Sequence, residues 1–189
     1  LISQTRTATT VAPTLISYTI ENPNKRYEGK ITYSANSNHR IAGNFIKVYN
    51  TEVNNSFGSI LDLASLVTRQ TPQDIVTINY SGILSPRFFL EGRYSSRRFS
   101  FIGSGATSTE LVNGTLLQDR QRGSLRYWSP TFCGVCDPEK RDSDEEYIKG
   151  TYFLSTRNGG SHNMVFGYDL YNDKRLSNNH QSGSDYRIN

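Results

Sequence analysis

The chain has 189 residues, 35% of them hydrophobic, a formal charge of +4 and a mean hydropathy of −0.58. An ordinary soluble core is therefore underweight, and no stretch approaches the roughly 18 consecutive apolar residues of a membrane-spanning helix. The 21 Lys and Arg alternate with 17 Asp and Glu rather than forming a basic stripe, which argues against a nucleic-acid surface.

Twelve Tyr and nine Phe against one Met and one Trp favour strands over helices. Residues 1 to 13 are Thr-rich and lack a firm pattern, the tail of a strand or a loop. From Thr14 a period of two begins: Ile16, Tyr18 and Ile20 alternate with polar neighbours up to a turn expected at Asn22-Pro23-Asn24-Lys25. Tyr27 to Ser34 is the second strand, Ala35 to His39 a turn, and Arg40 to Asn50 the third strand. Thr51 to Gln73 reads as a long loop holding one or two helical turns around Ser59 to Val67. Val76, Ile78, Tyr80, Gly82 and Leu84 make the next apolar face, Ser85-Pro86 turns, and Phe88, Leu90, Gly92 and Tyr94 make another. Arg97 to Glu146 is expected to be irregular, with its acidic end from Asp137 to Glu146 a solvated charge run rather than a cation site. Ile148 to Thr156 is a strand, Asn158-Gly159-Gly160-Ser161 a hairpin turn, and Met164, Phe166, Tyr168 and Leu170 the last apolar face, with polar loop after Asn172. The first and last residues read as cuts in something longer.

Alternation assigns faces. Tyr27, Ile31, Tyr33, Leu90, Tyr94, Ile148, Tyr152, Leu154, Phe166, Tyr168 and Leu170 fall on apolar faces. Glu28, Lys30, Glu91, Arg93, Lys149 and Thr151 fall on polar ones. A strand of this kind divides two solvents, a second sheet and water in a sandwich, or lipid and a wet lumen in a barrel. Connection lengths favour the barrel, because they alternate between short and long as outer-membrane barrels do. In that frame the first set faces lipid and the second the lumen. Ala35 to His39, Ser85-Pro86 and Asn158 to Ser161 face the periplasm, Thr51 to Gln73 and Arg97 to Glu146 face outward, and Asn22 to Lys25 is a short outer connection. Gly29, Gly82, Gly92 and Gly150 recur on the apolar faces two residues from a Tyr, where a neighbouring ring can cover the bare backbone or a bulge can sit.

Chemistry is sparse. His39, His162 and His180 lie at turns without a second ligand type nearby, and no nucleophile elbow or phosphate loop is present, so neither an enzyme nor a metal or cofactor site is expected. Cys133 and Cys136, two residues apart, read as a small structural disulfide in an oxidising compartment, with half of a metal site and free thiols as alternatives.

Lys149 to Thr156, Ser161 to Asp169 and Asn172-Asp173-Lys174-Arg175, with the Ser129 to Cys136 loop and Asn179 to Arg187, resemble the barrel of TonB-dependent outer-membrane receptors. The likeness is greatest to the Oar-like members that carry a carboxypeptidase-regulatory-like domain, and it runs from about Thr14 to the end. It implies an all-β antiparallel meander of long hairpins, part of a 22-stranded transmembrane barrel and an open curved sheet when isolated. Residues 1–189 would then be a partial barrel lacking the plug, the TonB-contacting segment and the closing strands. The resemblance further implies the outer membrane of a Gram-negative bacterium, lipid and the TonB system as partners, and uptake of a scarce oligosaccharide, peptide or metal chelate. An extracellular carbohydrate-binding or adhesin-like β-domain is the alternative.

Overall fold

A computed structural model describes residues 2–9, 15–55, 60, 62–106, 108–129, 139–177, 180 and 182–189, with the backbone alone for 2–9 and 15. The fold is all-β and antiparallel, as alternation and aromatic content demand. Its elements are β1 (Ile2–Thr9), β2 (Leu15–Asn22), β3 (Asn24–Asn36), β4 (His39–Asn55), a 3₁₀ turn (Leu63–Ser65), β5 (Val67–Gln70), β6 (Gln73–Ser85), β7 (Phe88–Phe101), a helical turn α1 (Leu111–Gly114), β8 (Leu116–Asp119), β9 (Leu125–Tyr127), β10 (Glu139–Thr156), β11 (Gly160–Leu176) and β12 (Arg187–Ile188). The large sheet runs β1-β2-β4-β6-β7-β10-β11, with β3 and β5 also paired to β4, and β12-β8-β9 form a small second sheet. Chain neighbours pair along the ladder, so the large sheet is a meander, and among the described residues β11 and the outer side of β3 have no further partner.

Several expectations are corrected, and residues 2–9, open between strand and loop by sequence, are strand. Asn22 to Lys25 is no turn: β2 and β3 follow one another along the same neighbour, Glu21 opposite Val53 and Asn24 opposite Asn50, with Pro23 as the single break. Proline tolerates this because its fixed φ suits extended backbone and its missing donor is harmless at an edge, while its carbonyl still accepts the Thr51 N–H at 3.0 Å. Residues 2–9, which show no firm pattern, form β1, a full antiparallel partner of β2 from Ile2 opposite Asn22 to Thr9 opposite Leu15. The irregular stretch is also shorter than Arg97 to Glu146, because β7 continues to Phe101 and β10 begins at Glu139. Glu139 to Glu146 form strand rather than solvated loop since cations lie across the ladder. Arg98 meets Asp144 at 2.8 Å and Arg93 pairs with Glu145, and opposite charges facing each other across strands support pairing. Likewise β11 extends to Leu176 instead of ending near Asn172.

Neither face of the large sheet is covered. Ile31 on one face is 73% exposed and Val165 on the other 60%. The buried residues instead gather where the long connections meet, with Ile60, Val67, Ala106, Leu116 and Leu125 joined by Ser65, Ser104, Thr115, Ser129 and Ser182. This loop cap is the molecule's core. At its base Glu52 ties strands together, accepting from Arg69 Nε on β5 at 2.7 Å and from Asn55 Nδ2 at 2.5 Å. The Arg69 and Glu52 side chains are both about four-fifths buried. Glu52→Ala should therefore cost about 1–2 kcal/mol by removing the carboxylate that accepts from both Arg69 and Asn55, read as an earlier thermal transition of the cap; an unchanged transition would show that the pair is solvated.

Candidate functional site: a two-sided sheet and its loop cap

Directly opposed residues in an antiparallel ladder share a face, so register sorts the whole sheet. Ile31, Gly43, Ile78, Tyr94, Glu146 and Leu170 lie in one row across six strands. Rows parallel to it bring together Tyr27, Ile31, Tyr33, Leu90, Tyr94, Ile148, Tyr152, Leu154, Phe166, Tyr168 and Leu170, all on one face, and add Ile41, Phe45, Val76, Ile78, Tyr80, Phe88 and Met164. Glu28, Lys30, Glu91, Arg93, Lys149 and Thr151 share the opposite face. That second face is not uniformly polar, since Ile83, Phe89 and Val165 cluster on it near the short turns.

Of the four glycines singled out by sequence, Gly29, Gly82, Gly92 and Gly150, two are sheltered by rings. A Cβ on Gly150 would meet Phe166 at 2.7 Å and Phe88 at 2.9 Å, and these two rings stack at 6.0 Å from the strands on either side. At Gly82 the shelter comes from Tyr80 of the same strand and from His39 directly opposite, whose Nδ1 lies 2.8 Å from the Tyr80 hydroxyl. Gly29 and Gly92 have no ring over them, and the bulges fall at Ser34/Asn36 and Ile83/Ser85 instead.

On the polar face Lys149 Nζ lies 2.6 Å from Glu91 and Arg93 pairs with Glu145 while its guanidinium sits 5.7 Å over the Tyr147 ring. A hollow of about 370 Å³ opens there, lined among others by Arg40, Asn79, Ser81, Glu91, Arg93 and Tyr147. Arg40, Asn79, Ser81 and Tyr147 were not singled out by sequence reasoning; their alternation with apolar neighbours was the available signal.

The continuous apolar run of this face ends on the loop side at Tyr27, Phe45, Val76, Tyr94, Ile148 and Leu170, and the next residues of the same face are Lys25, Lys47, Asp74, Ser96, Glu146 and Asn172, with Tyr49 and Leu176 exposed beyond it. This boundary climbs across the sheet. Phe45 lies opposite Gly29 rather than Tyr27, Tyr94 opposite Ile78 rather than Val76, and Ile148 opposite Gly92 rather than Tyr94, before one step back at Leu170. The short turns climb in the same direction. His39 is opposite Gly82, three residues before β6 ends at Ser85, and Phe88 is opposite Tyr152, four residues before β10 ends at Thr156. The short turns climb by about 1.75 residues, roughly 6 Å, per strand spacing of about 4.8 Å, which means strands tilted by roughly 50° from the normal of a plane containing the turns; the apolar boundary climbs less, a net of about 0.8 residues per spacing with no step between β4 and β6.

The loop cap is cross-braced by Asp62. Its Oδ1 accepts from Ser65 N–H at 3.1 Å and Ser65 Oγ at 2.9 Å, capping the 3₁₀ turn, while Oδ2 accepts from Trp128 N–H at 2.8 Å in the other long connection. Ile60 bridges to Arg126, whose guanidinium pKa is lowered by burial and by nearby Arg187. The final segment docks here too: β12 pairs parallel with β8, and Thr115 Oγ1 bonds Ser184 Oγ at 2.6 Å. His180 pairs with Asp185, and among the described residues no group of three or more His, Cys, Asp or Glu is placed to hold a metal. Cys133 and Cys136 lie outside the described residues. No helix among the described residues is long and apolar enough to cross a membrane, which says nothing of strands. No family model, no curated protein and no solved structure matches the chain.

Proposed function

We propose that the chain is a wall segment of a TonB-dependent outer-membrane transporter barrel, taking up a large or scarce solute, with its apolar face toward lipid and its charged face toward the lumen. The observation that carries the reading is the common climb of the apolar boundary and the short turns. An inclination near 45° is what a strand adopts when it crosses a bilayer in a barrel, and the apolar boundary follows the turns in direction though less steeply. Strand length supports it: β3, β4, β6, β7, β10 and β11 run 13 to 18 residues, against about 5–6 in globular sheets and about 9–11 for a crossing. Large apolar side chains left exposed on one face over six strands need a non-aqueous neighbour. The receptor class and its supply of energy from the inner membrane through TonB follow from the likeness of residues described above.

Extraction decides the matter. The intact protein should leave bacterial membranes only with detergent and stay monodisperse only while detergent is present. A detergent-free, monodisperse protein would instead place the apolar face against a second sheet, as an extracellular sugar-binding or adhesin domain requires.

A further inference from the structure

Two Asn-Gly pairs occur in the chain, Asn113-Gly114 and Asn158-Gly159. In such a pair the glycine nitrogen can attack the asparagine Cγ, because no Cβ shields that nitrogen and the backbone about it turns freely. The structure sets the two pairs in opposite circumstances. Gly114 is buried at the end of α1, and its N–H donates to the Glu110 carbonyl at 2.6 Å. A Cβ there would fall on the Ser108 carbonyl oxygen. The peptide between Asn113 and Gly114 is therefore locked, and its nitrogen has no room to swing toward the side chain. Asn158 and Gly159 instead form the exposed tip of the β10–β11 hairpin. The ladder closes at Thr156 opposite Gly160, so Arg157, Asn158 and Gly159 lie outside it, and Gly160 supplies the positive φ of 79° that ends the turn. One contact restrains the reacting peptide. The Gly159 N–H donates to Thr156 Oγ1 at 3.1 Å, and the same hydroxyl donates to the Gly160 carbonyl at 3.1 Å. A single neutral bond at an exposed turn opens far more readily than a buried peptide does.

We infer that Asn158 is a site of spontaneous covalent modification, converted to aspartate and isoaspartate, and that the Thr156 hydroxyl sets the rate. The Gly159 nitrogen gives up its proton and bonds to Asn158 Cγ. The bond from Cγ to Nδ2 breaks, Nδ2 takes up a proton and leaves as ammonia, and a succinimide ring results. Water then adds to one ring carbonyl and the adjoining ring C–N bond breaks. Opening at Cγ gives aspartate, and opening at the main-chain carbonyl gives isoaspartate. Solvent water is the only co-reactant. Either product places a carboxylate beside Arg157, and isoaspartate also lengthens the main chain by a methylene at the hairpin tip. The inference is independent of the barrel reading, since the hairpin tip is the same whichever solvent the apolar face meets.

The test is incubation of the folded intact protein in mildly alkaline heavy-oxygen water, followed by peptide mass spectrometry. The peptide holding Asn158 should exchange its amide for a solvent oxygen and accept methyl groups from an isoaspartate methyltransferase, while the peptide holding Asn113 should stay unchanged. Thr156→Val keeps a β-branched residue at the strand end but removes the acceptor. It should convert about two- to tenfold faster, the factor for losing one neutral hydrogen bond. Thr156→Ser, which keeps the hydroxyl, should convert at the wild-type rate. In denaturant the two Asn-Gly pairs should convert at similar rates. An Asn113 that is as slow there as in the folded protein would trace the contrast to flanking sequence and remove the structural argument. A folded protein in which Asn158 lasts as long as Asn113 overturns the site, and a Thr156→Val protein that converts no faster than wild type overturns the role of the hydroxyl.

Discussion

Arginine in place of Ile31 or Tyr152 is expected to cost about 2–4 kcal/mol when the intact barrel is unfolded reversibly from lipid vesicles, whereas arginine at Thr32 or Thr151 should be accommodated. Each pair consists of chain neighbours, so local strand propensity and position along the strand are nearly constant and the face is what differs. Ile31 and Tyr152 sit inside the apolar band, with Gly29 and Tyr33 or Gly150 and Leu154 next to them on the same face. Thr32 lies opposite Ala42, and Thr151 opposite Phe89, on the face of Glu28, Lys30, Lys149 and Glu91. An arginine on the apolar side must desolvate in hydrocarbon or reach for an interface; on the other side it meets carboxylates and water. The cost should shrink toward the boundary at Lys25 and Glu146. Similar penalties on both faces would leave the lipid assignment without support.

Gly183→Ala is expected to destabilise the loop cap by roughly 2–4 kcal/mol, among the larger effects available from one methyl group. A Cβ at Gly183 would fall on the Ser108 carbonyl oxygen and lie 2.8 Å from the Ala106 methyl. The first obstacle is backbone and cannot swing aside as a side chain can. Relief requires lifting Ser182 to Ile188 away, which breaks the Thr115 to Ser184 hydroxyl contact, the Ser184 N–H bond to the Gly114 carbonyl at 3.1 Å and the parallel pairing of β12 with β8. Hydrogen exchange should therefore accelerate over Leu116–Asp119 while β3, β4 and β6 keep their protection. Gly29→Ala, which adds a methyl in open space, is the matched control. Unchanged exchange over β8 in the Gly183 variant would mean that the final segment does not dock.

What could be read from the sequence was whatever depends on alternation. The face of each singled-out residue from Tyr27 to Leu170 follows from a period of two, and the tight turns at Ser37-Asn38, Pro86-Arg87 and Arg157 to Gly159 fall where Asn, Pro and Gly put them. What escaped depends on partners distant in sequence. The strand character of Glu139 to Glu146 rests on Arg93 and Arg98, 46 and more residues away. Residues 2–9 carry no apolar rhythm and are strand because β2 offers them a complete ladder. Pro23 between two Asn has the composition of a turn, and only the pairing of both flanks with β4 shows that the chain runs straight on. The Asp62 brace joins two connections whose sequences give no hint of one another.

A core gathered mostly in the loop cap, with Ile20 of β2 outside it, would on the proposed barrel reading divide the chain's stability between two solvents. Urea and heat act on buried apolar surface, and here that surface lies around Ile60, Leu116 and Leu125, so in water they act on the cap. The long strands respond to a different variable, the thickness and composition of whatever covers Ile31, Tyr94 and Phe166. The cap can therefore mature as a small aqueous unit while the strands below it take their final shape only on meeting their own surroundings, and the two halves of one chain need not fold in the same place.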